Sequence, residues 1–175
     1  MAHGLIHLYY GYGKGKTTAA LGLAVRAAGS GKKVVIVQFL KDTNTGELKS
    51  FALIPNVTIL RGTAAKGFAR DMTPEQLTET NKIQNANLRS ALEHVSSGSC
   101  DLLILDEALD AYQLGLLDKA LFLGTVFNKP SELELVITGH KPDQQIIDAA
   151  DYVTEMTKIK HPYDNGVFAR KGIEF

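Results

Sequence analysis

Tyr9–Thr18, YYGYGKGKTT, is the stretch on which the reading of the fold turns. Gly11, Gly13 and Gly15 place three residues without a Cβ within a few positions, so the backbone is free to turn its N–H groups toward one anion. Leu5–Tyr10 before it is an apolar, aromatic run bounded by glycines, the pattern of a buried strand. After it, Thr17–Ala28 is built from strong helix formers that are apolar on nearly every side, and Gly29-Ser30-Gly31 supplies the stop. This helix is expected to be largely buried. An anion held by the loop meets unpaired amides and the positive end of the helix dipole, so phosphate is the expected guest. Lys16 adds a mobile charge, Thr17 a hydroxyl for a magnesium ion, and Lys14 a second cation. A glycine-rich turn without a ligand is the competing reading. It loses because strand, loop, GKTT and helix follow in the order that a phosphate site requires. The usual spacing, however, puts a glycine where this chain has Tyr10, so the loop is one residue short or opens on a bulky aromatic.

Working outward, Lys33–Phe39 (KVVIVQF) is rich in β-branched residues and does not alternate, as expected of a strand covered on both faces of a parallel sheet. Lys41–Ser50 is polar and ambiguous, Val57–Arg61 reads as a strand, and Thr63–Met72 as a loop. Thr73-Pro74-Glu75-Gln76 has the form of a capping box with proline in the first turn, and the helix it opens is expected to run to about Val95. Leu102–Leu105 is a further buried strand, Leu116–Phe127 a helix, Leu133–Thr138 a fifth strand, and Pro142–Ala150 a helix leading to Tyr152–Met156. Lys160–Phe175 has strand-like pieces around Gly166. Strands alternating with helices imply three layers around a mainly parallel sheet, with ligands outside the carboxyl ends of the strands.

Those ends include LLILDE, where an apolar strand delivers Asp106 and Glu107. Hard oxygen ligands suit magnesium, which takes one or two carboxylates together with substrate phosphates. The alternative is that one of the carboxylates caps the next helix.

The chain's 175 residues, 45% of them hydrophobic, support one core and are too few for two ordinary domains, so 1–175 reads as a single domain. With 19 basic and 19 acidic residues there is no net field to gather nucleic acid or anionic lipid. One cysteine, Cys100, makes no internal disulfide and reads as a buried structural thiol. No window has the apolar length of a membrane span and no leader precedes the first strand, so a cytoplasmic protein is expected.

GYGKGKTTAALGLAVRAAGSGKKVVIVQFLK, Gly46-Glu47, LLILDE, ITGH, ADYVTEM and KHPYDNGVFARKGIEF together resemble the ATP:corrinoid adenosyltransferase family across nearly the whole chain. Its most specific parts are the shortened GxGKGKTT loop and the C-terminal KH-x-x-D-x-G-x-x-A-x-x-GI-E signature. The resemblance implies an α/β fold of the P-loop NTPase, RecA-like type. It also implies that the Co(I) centre of a corrinoid attacks the 5′-carbon of ATP and expels triphosphate, so that the loop grips a leaving group. Gly11, Gly13, Lys14, Gly15, Lys16, Thr17 and Thr18 match the triphosphate loop. Thr17, Asp106 and Glu107 match the ligands of Mg2+ (or Mn2+), and Lys16, Thr17 and Glu107 are the residues implied in catalysis. Gly67-Phe68 matches the aromatic segment that closes the lower corrin face, with Arg70 where some members carry a second aromatic. His140 stands where arginine is frequent. A flavoprotein reductant and a homodimer complete what the resemblance implies.

Two other readings fit a nucleotide loop: a small P-loop nucleoside kinase and a non-catalytic ATP-binding module. Kinases of the thymidine kinase type commonly carry a cysteine-bound zinc, which a single cysteine excludes.

Overall fold

The computed structural model describes residues 3–41, 44–64, 67 and 69–174. Strands β1 (Ile6–Tyr10), β2 (Val34–Gln38), β3 (Val57–Arg61), β4 (Leu102–Asp106), β5 (Glu134–Gly139) and β6 (Tyr152–Glu155) form one sheet. Their order is β3-β2-β4-β5-β1-β6 and every pairing is parallel. Parallel neighbours need crossovers, and the crossovers carry helices that cover both faces of the sheet. That is why β2 and β4 are buried at every position.

The helices are α1 (Lys16–Gly29), α2 (Gly46–Phe51), α3 (Pro74–Ser96), α4 (Ala108–Gln113), α5 (Lys119–Phe127) and α6 (Gln144–Ala149). Alternation along the strands divides the core in two. Val34, Ile36, Leu102, Ile104 and Val136 pack with the alanines of α1 and with Phe51 of α2. Val35, Val37, Leu103, Leu105, Leu135 and Ile137 face the other layer, with Leu88 of α3, Leu109 of α4, Phe122 of α5 and Ile146 of α6.

Helix α1 is not apolar-buried all round as expected. It buries Lys16, Ala20, Ala24, Ala27 and Ala28, while Val25 on its outer side is 49% exposed. In a three-layer fold an outer helix has only one partner, so one stripe is covered, and alanine there lets the helix lie close to β4 and β5. The capping box of α3 is present: Gln76 N donates to Thr73 Oγ1 at 3.3 Å, and Thr73 N donates to Gln76 Oε1 at 2.9 Å.

Two local expectations are corrected, and one short helix, α4, has no counterpart in the sequence reading. Leu116 and Leu117 are buried in a connection, and α5 starts later because Asp118 Oδ1 accepts from Leu121 N at 2.7 Å and caps it. Helix α4, too short to show a period, follows β4 directly. Lys160–Phe175 contributes no strand among the described residues: a 3-10 turn spans Pro162–Asn165 and further turns follow. Strand β6 already forms that edge of the sheet, paired with β1.

Candidate active site

The sheet carries one polar cross-strand row at its carboxyl edge. Gln38 is in register with Asp106, and Thr138 with Tyr9. Gln38, Asp106 and Thr138 share the strand face that carries Ile36, Ile104 and Val136, so they point to the α1 side. Strand β5 lies between β1 and β4, and α1 crosses over β4 and β5, which brings Thr17 above Asp106.

Asp106 has no exposed surface and both of its oxygens are occupied. Oδ1 accepts from Thr17 Oγ1 at 2.9 Å and from Thr138 Oγ1 at 2.8 Å. Oδ2 accepts from Lys41 Nζ at 2.6 Å and from Gln38 Nε2 at 3.5 Å. A buried carboxylate persists only when paired and hydrogen-bonded, and this one is both. Lys41, which opens a segment that is polar and ambiguous in sequence, is thus at the centre of the site, and its Nζ also donates to Thr17 Oγ1 at 3.3 Å.

Two non-glycine residues adopt left-handed backbone just beyond the carboxyl ends of adjacent strands: Leu40 with φ 57° after β2 and Glu107 with φ 61° after β4. Such geometry costs about 1 kcal/mol or more per residue and persists where the surroundings over-determine it. At Leu40 it turns the chain so that Lys41 folds back over Asp106. At Glu107 it releases the side chain from strand alternation, while the amide donates to Thr138 Oγ1 at 2.9 Å. Glu107 occupies the N-cap position of α4 but its side chain caps nothing, so the capping alternative does not hold. The carboxyl instead lines the cleft, pushed up to about 7 by burial first and then by the Asp106 and Asp110 carboxylates, with Lys41 opposing.

The glycines act differently from the expectation. Gly11 N donates to the carbonyls of Gly139 and His140 at 3.2 and 3.0 Å, and Gly13 N to Met156 O at 2.5 Å. A Cβ on Gly11 or Gly13 would meet Met156 O at 2.6 or 2.5 Å. These two therefore let the loop dock against the end of β6 and commit their amides to protein. Gly15, with φ 119°, provides the left-handed turn into α1. Lys16 is 8% exposed and its Nζ donates to Gly13 O at 3.1 Å.

Two cavities meet here. The smaller, ≈ 320 Å³, is bounded by the loop from Tyr12 to Thr18 together with Glu107, His161 and Glu174. The larger, ≈ 830 Å³, runs along α1 past Leu21 and Val25 to Lys41, Glu47 and Phe51. Both include Thr17, Thr18 and Glu107, and their sizes are those of small-molecule sites. Lys14 is drawn to the C-terminal segment, its Nζ 2.9 Å from Glu174 Oε1. His140 Nδ1 pairs with Asp110 Oδ1 at 2.7 Å, and its ring lies 5.0 Å from that of Tyr12. Arg70 is on the surface beside Asp71, and Phe68 lies outside the described residues.

Thus Gly11, Gly13, Lys14, Gly15, Lys16, Thr17, Thr18, Asp106 and Glu107 are gathered at one end of the sheet. Gln38, Lys41 and Thr138 belong with them and were missed. For Gln38 and Thr138 a signal is present: VVIVQ and LVIT, like LLILD, each close an apolar strand on a polar residue of the same face, whereas nothing local marks Lys41.

Fold and cleft define a three-layer α/β protein with its cleft at the carboxyl ends of parallel strands, where sheets of this kind take their ligands. The model of the family described as ATP:corrinoid adenosyltransferase BtuR/CobO/CobP matches residues 2–175. A corrinoid adenosyltransferase of Pseudomonas aeruginosa is 33% identical over 173 residues, 98% of this chain and 84% of that protein. One of Escherichia coli K12 is 33% identical over 177 residues, 98% and 86% respectively. The corrinoid adenosyltransferase CobA of Salmonella typhimurium is 32% identical over 177 residues with the same coverage. The chain belongs to the ATP:corrinoid adenosyltransferase family.

Proposed function

We propose that residues 1–175 act as one adenosyltransferase domain of the P-loop, RecA-like type, which transfers the 5′-deoxyadenosyl group of ATP to the Co(I) centre of a corrinoid. A cobalt–carbon bond forms at C5′ as the C5′–O bond breaks, and triphosphate leaves with that electron pair. The family match across the chain carries this reading. The strand inserted between the loop strand and the acidic strand supports the RecA-like type, and the ≈ 320 Å³ cavity over the loop supports the grip on triphosphate.

In this reading the amides of Lys14 to Thr17, at the open end of α1, face the triphosphate, since those of Gly11 and Gly13 are spent on protein carbonyls. Lys16 leaves the Gly13 carbonyl to meet the charge that grows on the departing oxygens, and Lys14 exchanges Glu174 for phosphate. Thr18 stands one residue further into the same helix start. Position and fixed charge are all the chain supplies, because the cobalt is the nucleophile and no proton moves.

The donor set fits a hard divalent cation such as Mg2+ or Mn2+: the Thr17 hydroxyl, the Asp106 and Glu107 carboxylates, and beside them Gln38 Oε1, buried without a partner. Thr17, Asp106 and Glu107 would hold it, and when bound it neutralises charge on the leaving group. Phe68 as the residue that closes the lower corrin face, a flavoprotein electron donor and a homodimer are proposed on the family resemblance. No helix among the described residues is long and apolar enough to cross a membrane, and a cytoplasmic site of action is proposed with it.

The test is incubation with ATP, Mg2+ and a corrinoid reduced to Co(I). A light-sensitive alkylcobalt product formed one-for-one with tripolyphosphate is expected. ADP and orthophosphate as the only nucleotide-derived products, with the corrin unalkylated, would indicate a kinase or ATPase instead, and intact ATP a binding module.

A further inference from the structure

Lys41 contacts groups that are assigned above to a divalent cation. Its ammonium is 2.6 Å from Asp106 Oδ2 and 3.3 Å from Thr17 Oγ1, and so touches two of the groups assigned above to the metal. The backbone is strained to put it there, since the preceding Leu40 holds φ 57°. The side chain is 23% exposed and lines the larger cavity together with Thr17 and Glu107, so it has open space to move into. Gln38 Oε1, in the same polar row, is buried with no hydrogen-bond donor.

We propose that Lys41 is a substrate-binding residue with two stations: it neutralises Asp106 in the empty site, and moves onto the triphosphate once a divalent cation takes its place. The inference rests on the reading of this cleft as a triphosphate site. The physical reason is charge balance. Asp106 is fully buried, and a buried carboxylate without a counter-charge is costly, so an internal cation keeps the empty site folded. When a divalent ion binds Asp106 and Thr17, an ammonium 2.6 Å from the same oxygen is repelled by the ion. A polyphosphate bound along the shared wall of the two cavities would present the ammonium with a multiply charged anion on the open side, in a cavity otherwise lined by the single carboxylates of Glu47, Glu107 and Glu174. Lys41 then joins Lys14 and Lys16 as a third cation on the leaving group, approaching from the β2 side while the other two approach from the loop.

Three measurements test this, none containing corrinoid, so that a wrong activity and a wrong role for Lys41 give different results. In the first, Mn2+ binding without nucleotide is followed by electron paramagnetic resonance in the wild type and in Lys41→Met. Loss of the competing ammonium is expected to tighten Mn2+ about tenfold, because Asp106 is freed for the ion. In the second, calorimetry with tripolyphosphate in saturating Mg2+ is expected to show binding about tenfold weaker or more in Lys41→Met, from the lost charge-assisted contact. Unchanged or weaker Mn2+ binding, or unchanged tripolyphosphate affinity, overturns the proposal. The third needs only the wild-type chain. Acetylation of Lys41, read by peptide mass, is expected to be slow in the protein alone, faster with Mn2+, and slow again when tripolyphosphate is added. Labelling indifferent to Mn2+ overturns it.

Discussion

At the scale of the residue, the site is ruled by the burial of charge. Asp106 is tolerable in the core because two hydroxyls, an amide and an ammonium meet its oxygens. Glu107, one residue on, has no such set and is pushed up to about 7, from 4.5, by burial and by the Asp106 and Asp110 carboxylates. Between those values the folded chain holds a proton that the unfolded chain has lost. Glu107 therefore favours folding least at high pH, and stability falls as pH rises through that window. Denaturant titrations from about pH 5 to about pH 8 without metal should show wild-type stability declining relative to Glu107→Gln. Parallel profiles would mean that Glu107 ionises normally. Lys16 is the second case. If it meets the charge on the leaving triphosphate, Lys16→Ala should slow transfer by about 10²–10³-fold at saturating ATP, with the fold intact. Unchanged turnover in the rate of alkylcobalt formation would remove that role.

At the scale of the element, loop and sheet edge are one unit. Gly13 has no room for a side chain, since a Cβ would stand 2.5 Å from Met156 O and 2.7 Å from its carbonyl carbon. Both are backbone atoms of the residue that follows β6, so the loop or the strand end must shift. Gly13→Ala is expected to lower stability by about 2 kcal/mol and to weaken tripolyphosphate binding, as read by denaturant melts and calorimetry. If neither moves, the close approach is incidental. Helix α3 offers an effect on stability alone. Its Thr73–Gln76 box satisfies two amides, one at each end of the exchange, and is far in sequence from the loop. Thr73→Ala should cost about 1 kcal/mol and leave tripolyphosphate affinity unchanged. A fall in affinity would show that α3 and the segment before it shape the cleft. The box and the length of α3 were legible from the sequence because a cap is a local hydrogen-bond pattern. Helix α4, six residues long, was not, because it turns less than twice and shows no period.

At the scale of the whole molecule, two helical layers cover a sheet whose central strands are buried. Cys100 marks that interior: it is 8% exposed, and burial pushes its thiol up to about 12. Alkylation of Cys100 should be negligible in the folded protein and should rise with denaturant along the global unfolding curve. Labelling well before that transition would reveal local opening next to β4. The order of strands, the alanine stripe of α1 and the polar row show where reading from residues succeeds and where it stops. The sequence by itself determined the alternation of strand and helix, the loop before α1 and the acidic end of β4, because hydrophobic period, glycine placement and capping are properties of neighbours along the chain. Only the tertiary structure decided that β5 enters between β1 and β4, that Lys41 returns onto Asp106, and that Gly11 and Gly13 serve β6. Those depend on which strands pair and which side chains meet across 65 or more positions, as Lys41 and Asp106 do, and no local pattern encodes a distance of that kind.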